Sequence, residues 1–246
     1  MMPSRLLRFP RSGWTARRFV RRAALSVALM IAAPLEAQVG RLPDKSPYED
    51  FAIGQTFTLM GGWFAVATDL AKVAPKPSAI GLLRYDIGVG GPASLWVRYG
   101  LARSERDVLL PSNPRASRIF RQQGVTTQLM DGGLDIALTG RKTWHRLLPS
   151  VNGGAGVATD FAKVDTGAYQ FGTKFSFTYG GSLRIVSRSG PQLRVDISNI
   201  TWQYQYPDKY FVKASDTTSV LTDTRNRTSW RGSWSFSAGV AIPVFR

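Results

Sequence analysis

The chain has 246 residues, with 32 Lys and Arg against 16 Asp and Glu, one His and no Cys. The lack of cysteine excludes a disulfide, a thiolate metal site and a cysteine nucleophile. The basic excess is scattered, without a basic helix or nucleic-acid motif, which argues against nucleic acid and for contact with anionic lipid.

In chain order, residues 1–22 carry Arg5, Arg8, Arg11, Arg17, Arg18, Arg21 and Arg22 and no acid. An apolar run from Ala23 to Ala33 follows, then Pro34-Leu35-Glu36-Ala37. Basic region, short apolar region and small residue at the cut are the order of a secretory signal, so 1–37 are expected to be a cleaved signal peptide. The run falls short of the ~20 residues of a spanning helix; an uncut anchor is the alternative. Removing the seven Arg and Glu36 leaves 25 basic and 15 acidic residues, a formal +10. Residues 38–54 are then an N-terminal periplasmic segment, and 55–246 the folded domain.

That domain alternates. A first strand near Gln55–Thr68 puts Phe57, Leu59, Trp63 and Ala65 on one face. The second, Ala79–Val89, sets Leu83, Tyr85, Ile87 and Val89 against Arg84, Asp86 and Gly88. Gly90-Gly91-Pro92 turns the chain into a third, Ala93–Arg103, with Leu95, Val97, Tyr99 and Leu101 opposite Ser94, Arg98 and Gly100. Ser104–Gly124 reads as a long polar loop. The fourth strand, Val125–Leu138, opposes Leu134, Ile136 and Leu138 to Gly133, Asp135 and Ala137. After a short connection, Thr139–Arg146, a fifth strand over Leu147–Ala158 is weakened by Pro149 and Gly153-Gly154. The sixth, Phe171–Val186, opposes Phe171, Phe175, Phe177, Tyr179, Leu183 and Ile185 to Lys174, Ser176, Thr178 and Arg184. The seventh, Gln192–Tyr204, changes phase near Asn199, as a β-bulge would make it do. The last, Trp230–Arg246, alternates for seventeen residues, far beyond the usual ~5–6.

The connections therefore run long, short, long, short, long, short, long. With the N-terminus inside, the long ones lie outside the cell and the short ones in the periplasm, the pattern of an outer-membrane barrel. Val66-Ala-Thr-Asp-Leu-Ala-Lys-Val73 recurs as Val157-Ala-Thr-Asp-Phe-Ala-Lys-Val164. It suggests a duplicated four-strand unit, the alternative being chance with a shared loop-start preference. The fold class expected is an all-β, antiparallel up-and-down transmembrane barrel of about eight strands.

This pattern over residues 55–246 resembles the small eight-stranded outer-membrane barrels of the OmpA/OmpW type. The resemblance implies a bacterial outer-membrane location and delivery by the barrel assembly machinery. It also implies a C-terminal aromatic facing outward. Here Phe245 is next to last and falls on the polar parity unless Pro243 shifts the phase.

Inward parity collects Arg84, Asp86, Arg98, Asp135, Lys174, Arg184, Arg194 and Asp196. In a lumen as narrow as eight strands allow, such charges are expected to pair and fill it. Trp144, Trp202, Tyr204, Tyr206 and Trp230 sit near strand ends and are expected to form the interfacial aromatic girdle. No catalytic residue, cofactor site or metal site is expected. His145 is the lone histidine, in a periplasmic turn, and no G-x-S-x-G motif is present. The function expected is a non-catalytic structural or surface-interaction protein with a plugged polar lumen. A narrow porin-like pore for small solutes, or a soluble exported lipocalin-like barrel with an apolar ligand, are the alternatives. The loop Ser104–Gly124, with Arg106, Arg115, Arg118 and Arg121, is expected to meet anionic headgroups or surface sugars.

Overall fold

Alternation of side chains about the backbone plane gives each strand one apolar and one polar face, and eight such strands close on themselves. The computed structural model describes residues 46–51, 54–187 and 190–245. The expected signal peptide, and residues 38–45 of the segment after it, lie outside the described residues. The strands are β1 (Tyr48–Asp50), β2 (Gln55–Ala65), β3 (Ser78–Gly90), β4 (Ala93–Leu109), β5 (Ile119–Ala137), β6 (Lys142–Trp144), β7 (Leu147–Thr159), β8 (Thr173–Ile185), β9 (Gln192–Gln205) and β10 (Thr228–Phe245). Eight of them pair in the order β7-β5-β4-β3-β2-β10-β9-β8, and β8 pairs back to β7. All these pairings are antiparallel.

The stagger of the closure can be read from one row of partners. From Thr173 it passes through Thr159, Gln128, Leu101, Gly81, Gly61, Ala238 and Val195 and returns to β8 at Leu183, ten residues further on. Strands so staggered must tilt against the barrel axis. Closure leaves no sheet edge, so the ladder satisfies its own backbone groups without water. Among the described residues, no helix is long and apolar enough to cross a membrane.

Leu59, Leu83, Val97, Leu134, Val151, Phe177, Ile197 and Phe236, one from each strand of the barrel, all lie exposed on the outer wall. A contiguous apolar belt on every strand is a face for lipid rather than for water. The inner face carries Thr58, Arg84, Arg98, Asp135, Asn152, Ser176, Asp196 and Ser235, all buried.

The structure departs from the sequence reading in four places. β4 and β5 run on through most of the expected loop, pairing as far as Leu109 with Ile119, so the turn between them shrinks to residues 110–118. The extension lost its apolar alternation because its outer face leaves the lipid belt and becomes Arg103, Glu105, Gln122 and Thr126. Second, no bulge occurs at Asn199: β9 keeps one continuous register with both β8 and β10. The phase of the strand is constant, and it is the interior that changes from charged to aromatic. Third, Phe171 precedes β8 and is buried rather than lipid-facing. Fourth, the repeat is only half structural. Asp69 and Asp160 each accept from the amide two residues on, at 3.0 Å in both copies. However, Val66 is buried after the end of β2, whereas Val157 faces outward within β7.

At the other rim, β1 pairs with β6, placing Tyr48 opposite Trp144. The His145 amide donates to the Pro47 carbonyl at 2.9 Å. At the C-terminus a register shift falls between Pro243 and Phe245.

Candidate functional site

The interior has two layers. The lower one starts from the alternation of β3, which turns Arg84 and Asp86 inward together. Arg84 Nε and Nη2 donate to Asp86 Oδ1 at 3.0 and 2.8 Å, and Nη2 also reaches Asp135 Oδ2 at 2.6 Å. From β9, Arg194 bridges Asp196, Asp135 and Asp86 at 2.9, 2.9 and 3.2 Å. Two guanidiniums thus share three carboxylates, each bonded from more than one direction. Such multiple pairing is what offsets the cost of removing ions from water.

Above them, Arg98 forms a two-pronged pair with Asp131, through Nε at 3.0 Å and through Nη2. Asp131 also accepts from Thr178 Oγ1 at 2.7 Å. The Trp96 indole lies between the two sets, 4.7 Å from the Arg84 guanidinium and 5.4 Å from that of Arg98. Its ring fits because Gly154 stands beside it: a Cβ there would lie 2.9 Å from the ring and 2.2 Å from the Gly132 carbonyl oxygen.

Arg184 is held more loosely, 3.9 Å from Asp86 Oδ2 and 3.4 Å from Thr56 Oγ1. It borders a cavity of about 20 Å³ shared with Ser94 and Asp135, room for one water. The buried ions of this layer are Arg84, Arg98, Arg184 and Arg194 against Asp86, Asp131, Asp135 and Asp196, so the formal charges cancel.

Seven of the eight residues expected in the lumen network are therefore brought together. Lys174 is not: it is half-buried near the outer end of β8 and makes none of these pairs. It shares the inward parity, but parity alone does not set depth along the strand. Asp131 was missed, although it lies two and four residues before Gly133 and Asp135 on the same face. Trp96 carries no sequence signal for the lumen, since an apolar residue on the polar parity of β4 reads as a break in the pattern.

The upper layer is aromatic. Trp202 and Tyr204 are fully buried at 0 % exposure, and Tyr206 is buried at 2 %. This corrects their place in the expected girdle. They point inward because β9 keeps its phase, and they fill the outer end of the barrel. Trp202 packs 5.9 Å from both Phe64 and Phe171, and Tyr169, Tyr210 and Tyr206 stack in succession at 6.3 Å. Trp144 and Trp230 are exposed, as an interfacial position requires. Tyr179 and Trp234 stand on the same outer wall as Trp230, edge to face at 6.3 Å.

Each outer loop is tied into this layer by a buried or bridging group. The Tyr206 hydroxyl donates to Asp69 Oδ2 at 2.8 Å, joining the last loop to the first. Asp69 also accepts from the amides of Ala71 and Ala74. Arg106, on the β4 extension, pairs with Asp165 of the third loop at 2.8 Å and lies over the Tyr169 ring. Arg118 donates to the carbonyls of Ser219 and Thr218 at 3.0 and 3.2 Å. The Arg115 amide donates to Asp216 Oδ2 at 2.7 Å.

Burial, with the nearby Asp69 charge, pushes the Tyr206 hydroxyl well up, and burial does the same for Tyr169 and Tyr210. These phenols stay neutral, and that of Tyr206 serves as a donor. At the exposed surface, the Arg115 amide and the Thr218 hydroxyl hold the Asp216 carboxyl down at about 2. Among the described residues there is no group of three or more His, Asp or Glu placed to hold a metal ion. His145 lies exposed at the opposite rim, its ring against Trp144.

No protein-family model matches this chain, and no curated protein matches it. Solved structures similar to it are small outer-membrane barrels. Neisserial surface protein A is 11% identical, with 80% of this chain and 97% of that one covered and a TM-score of 0.47. The Yersinia pestis outer-membrane protein Ail, in a phospholipid bilayer nanodisc, is 13% identical over 77% of this chain and 99% of that one, with a TM-score of 0.39. Ail in complex with the heparin analogue sucrose octasulfate is 14% identical over the same shares, with a TM-score of 0.35. At such values the likeness adds nothing to the closed strand ladder, from which the barrel follows.

Proposed function

We propose that this chain is an integral outer-membrane barrel without catalysis, its lumen plugged and its outer loops built into one rigid contact surface. The observation that carries this reading is the pairing of an apolar outer wall with a charge-balanced inner one. Four buried Arg meet four buried Asp, and Trp96 and the Trp202–Tyr204 layer occupy the space that a solute would need. A soluble lipocalin-like barrel needs the reverse, an apolar interior and a polar exterior. A pore needs a continuous polar path, which the aromatic layer interrupts.

The cap suits an interaction role because its ties hold it in shape before any partner arrives. Arg115, Arg121, Lys163 and Lys213 are exposed on it, a set matched to anionic headgroups or acidic surface sugars. Delivery would use the barrel assembly machinery, with β10 as the strand it handles. The test is to refold the protein into vesicles, float them, and compare heated with unheated samples by SDS gel. The folded barrel is expected to float, to migrate differently until heated, and to give no conductance steps in a planar bilayer. Recovery as a soluble protein with no gel shift refutes the membrane reading. Stable conductance steps refute the plug.

A further inference from the structure

The strand ladder continues past the barrel on the rim opposite the cap. There β6 leaves the start of β7 through a two-residue turn and carries β1 on its other side, with Tyr48 opposite Trp144 and Asp50 opposite Lys142. Trp144 is also the ladder partner of Leu147, Leu147 partners Ile185, and Ile185 partners Leu193. Directly opposed residues share a face of the sheet. Ile185 and Leu193 are exposed on the outer wall. Tyr48, Trp144 and, two residues before it, Lys142 therefore stand on the outer face, next below the apolar belt.

The turn that sets this ribbon is strained. His145 and Arg146, the two residues between Trp144 and Leu147, have φ of +48° and +65°. Positive φ at both central positions makes a type I′ turn, which favours Asn-Gly because the Cβ of a larger residue crowds the following carbonyl. The conformation is held from both sides. The His145 amide donates to the Pro47 carbonyl at 2.9 Å, and the Arg146 carbonyl accepts from the Val186 amide at 2.7 Å. The sequence thus keeps His and Arg where the backbone favours two other residues, which points to a use for the side chains themselves. Both are exposed, as is Lys142, and none of the three is in an ion pair among the described residues. The His145 ring meets the Trp144 indole edge to face, with centroids 5.0 Å apart. Lys142 and His145 therefore flank one exposed indole. The ribbon's two acids are on β1: Asp50 faces Lys142, and Glu49 is on the opposite face with Thr143.

We propose that this ribbon binds the headgroup phosphate of an anionic phospholipid of the periplasmic leaflet. The Trp144 indole lies where acyl chains give way to headgroups, and Lys142, His145 and Arg146 donate to the phosphate. The proposal rests on the membrane reading above and adds to it a site at the end of the barrel away from the cap. The occupant follows from continuity. The face that carries Trp144 and Lys142 is the lipid-facing wall prolonged by its own ladder partners. Donors that stand next below an apolar belt are at the level of the headgroups, where phosphate is the anion they meet.

The experiment is native mass spectrometry of the detergent-solubilised full barrel, titrated separately with phosphatidylglycerol, phosphatidylcholine and a soluble muramyl peptide. Wild type is expected to retain phosphatidylglycerol more strongly than phosphatidylcholine. His145→Asn with Arg146→Gly gives the turn the pair its backbone favours and removes the charge. This double variant should unfold at the same or a higher urea concentration in phosphatidylcholine vesicles. Its preference for phosphatidylglycerol should nevertheless fall about fivefold, the size expected for one cation lost at the headgroup level. Lys142→Gln should lower the preference by a similar factor. A double variant that gains stability and keeps the wild-type preference shows a turn with a structural role alone and overturns the proposal. Equal retention of the two lipids by wild type overturns it as well, and so does stronger retention of the muramyl peptide than of phosphatidylglycerol, which would assign the ribbon to the cell wall. The heat-dependent gel shift, measured on each variant, separates these outcomes from a failure of the barrel itself.

Discussion

Replacing Asp131 by Asn tests whether the lumen network stabilises the barrel as a set of mutually dependent ions. Asp131 accepts Arg98 at Nε and Nη2 and Thr178 at Oγ1, and the Arg98 and Asp131 side chains are 1 % and 2 % exposed. The amide keeps the shape and removes the charge. Arg98 would then retain only neutral acceptors, one amide oxygen and Ser198 Oγ at 3.1 Å, and the lower layer would hold four Arg against three Asp. A buried ion deprived of its partner costs about 3–5 kcal/mol. Replacing both members, Arg98→Met with Asp131→Leu, removes the unpaired charge and should regain most of that loss. The assay is urea unfolding in phosphatidylcholine vesicles, followed by tryptophan fluorescence and by the gel shift. A loss below about 1 kcal/mol in the single variant, the size expected of an exposed pair, would refute the reasoning.

Gly154→Ala sets a Cβ 2.2 Å from the Gly132 carbonyl oxygen, while Gly61→Ala, on the outer wall, meets nothing within 4 Å. The first should cost about 3 kcal/mol in the same titration, the upper end for overpacking, and the second should be near neutral. Ile197→Arg, midway along β9 on the lipid face, should cost about 2–4 kcal/mol in a bilayer; tolerance equal to Ile197→Leu contradicts its placement. The Asp216 carboxyl, held at about 2 against an ordinary 3.8, contributes to the loop tie above the higher value and loses that contribution as pH falls through the lower. The protection of the Arg115 amide, taken relative to its intrinsic exchange rate at each pH, should therefore hold from pH 7 to about pH 4 and fall towards pH 2; loss of protection by pH 5 counts against the tie. Trypsin added to intact cells should cut at Arg115 and spare Arg141, and the reverse result would invert the topology.

The outer wall was legible because lipid imposes one rule on every strand that crosses it. The alternation of β3, β8 and β10 and the short turn after Gly90 follow directly from it. Legibility ended where that rule ends. The extensions of β4 and β5 stand clear of the belt, so their outer faces carry no apolar signature although the ladder continues. In β9 the reading assumed that an apolar residue must point to lipid. Ile200, Trp202 and Tyr204 instead point into a lumen sealed by loops. The cap ties were out of reach for another reason. Arg106 meets Asp165, and Asp69 meets Tyr206, across separations that no local pattern encodes. The charge network was readable from parity because both partners of each pair obey it, and Asp131 lay one step beyond where the alternation was followed.

One contact in the cap bears on how such a surface can change over time. Arg118 holds the last loop by its main-chain carbonyls at Thr218 and Ser219, which every amino acid offers alike, and by one side chain, the Thr218 hydroxyl at 2.7 Å. Substitutions in most of that loop would leave this grip in place. The segment can therefore vary its exposed side chains while the frame presenting them keeps its shape. Pressure to conserve would fall on Arg118, Thr218 and Asp216, whose side chains make the ties, and the exposed residues that make none would be the freest to drift.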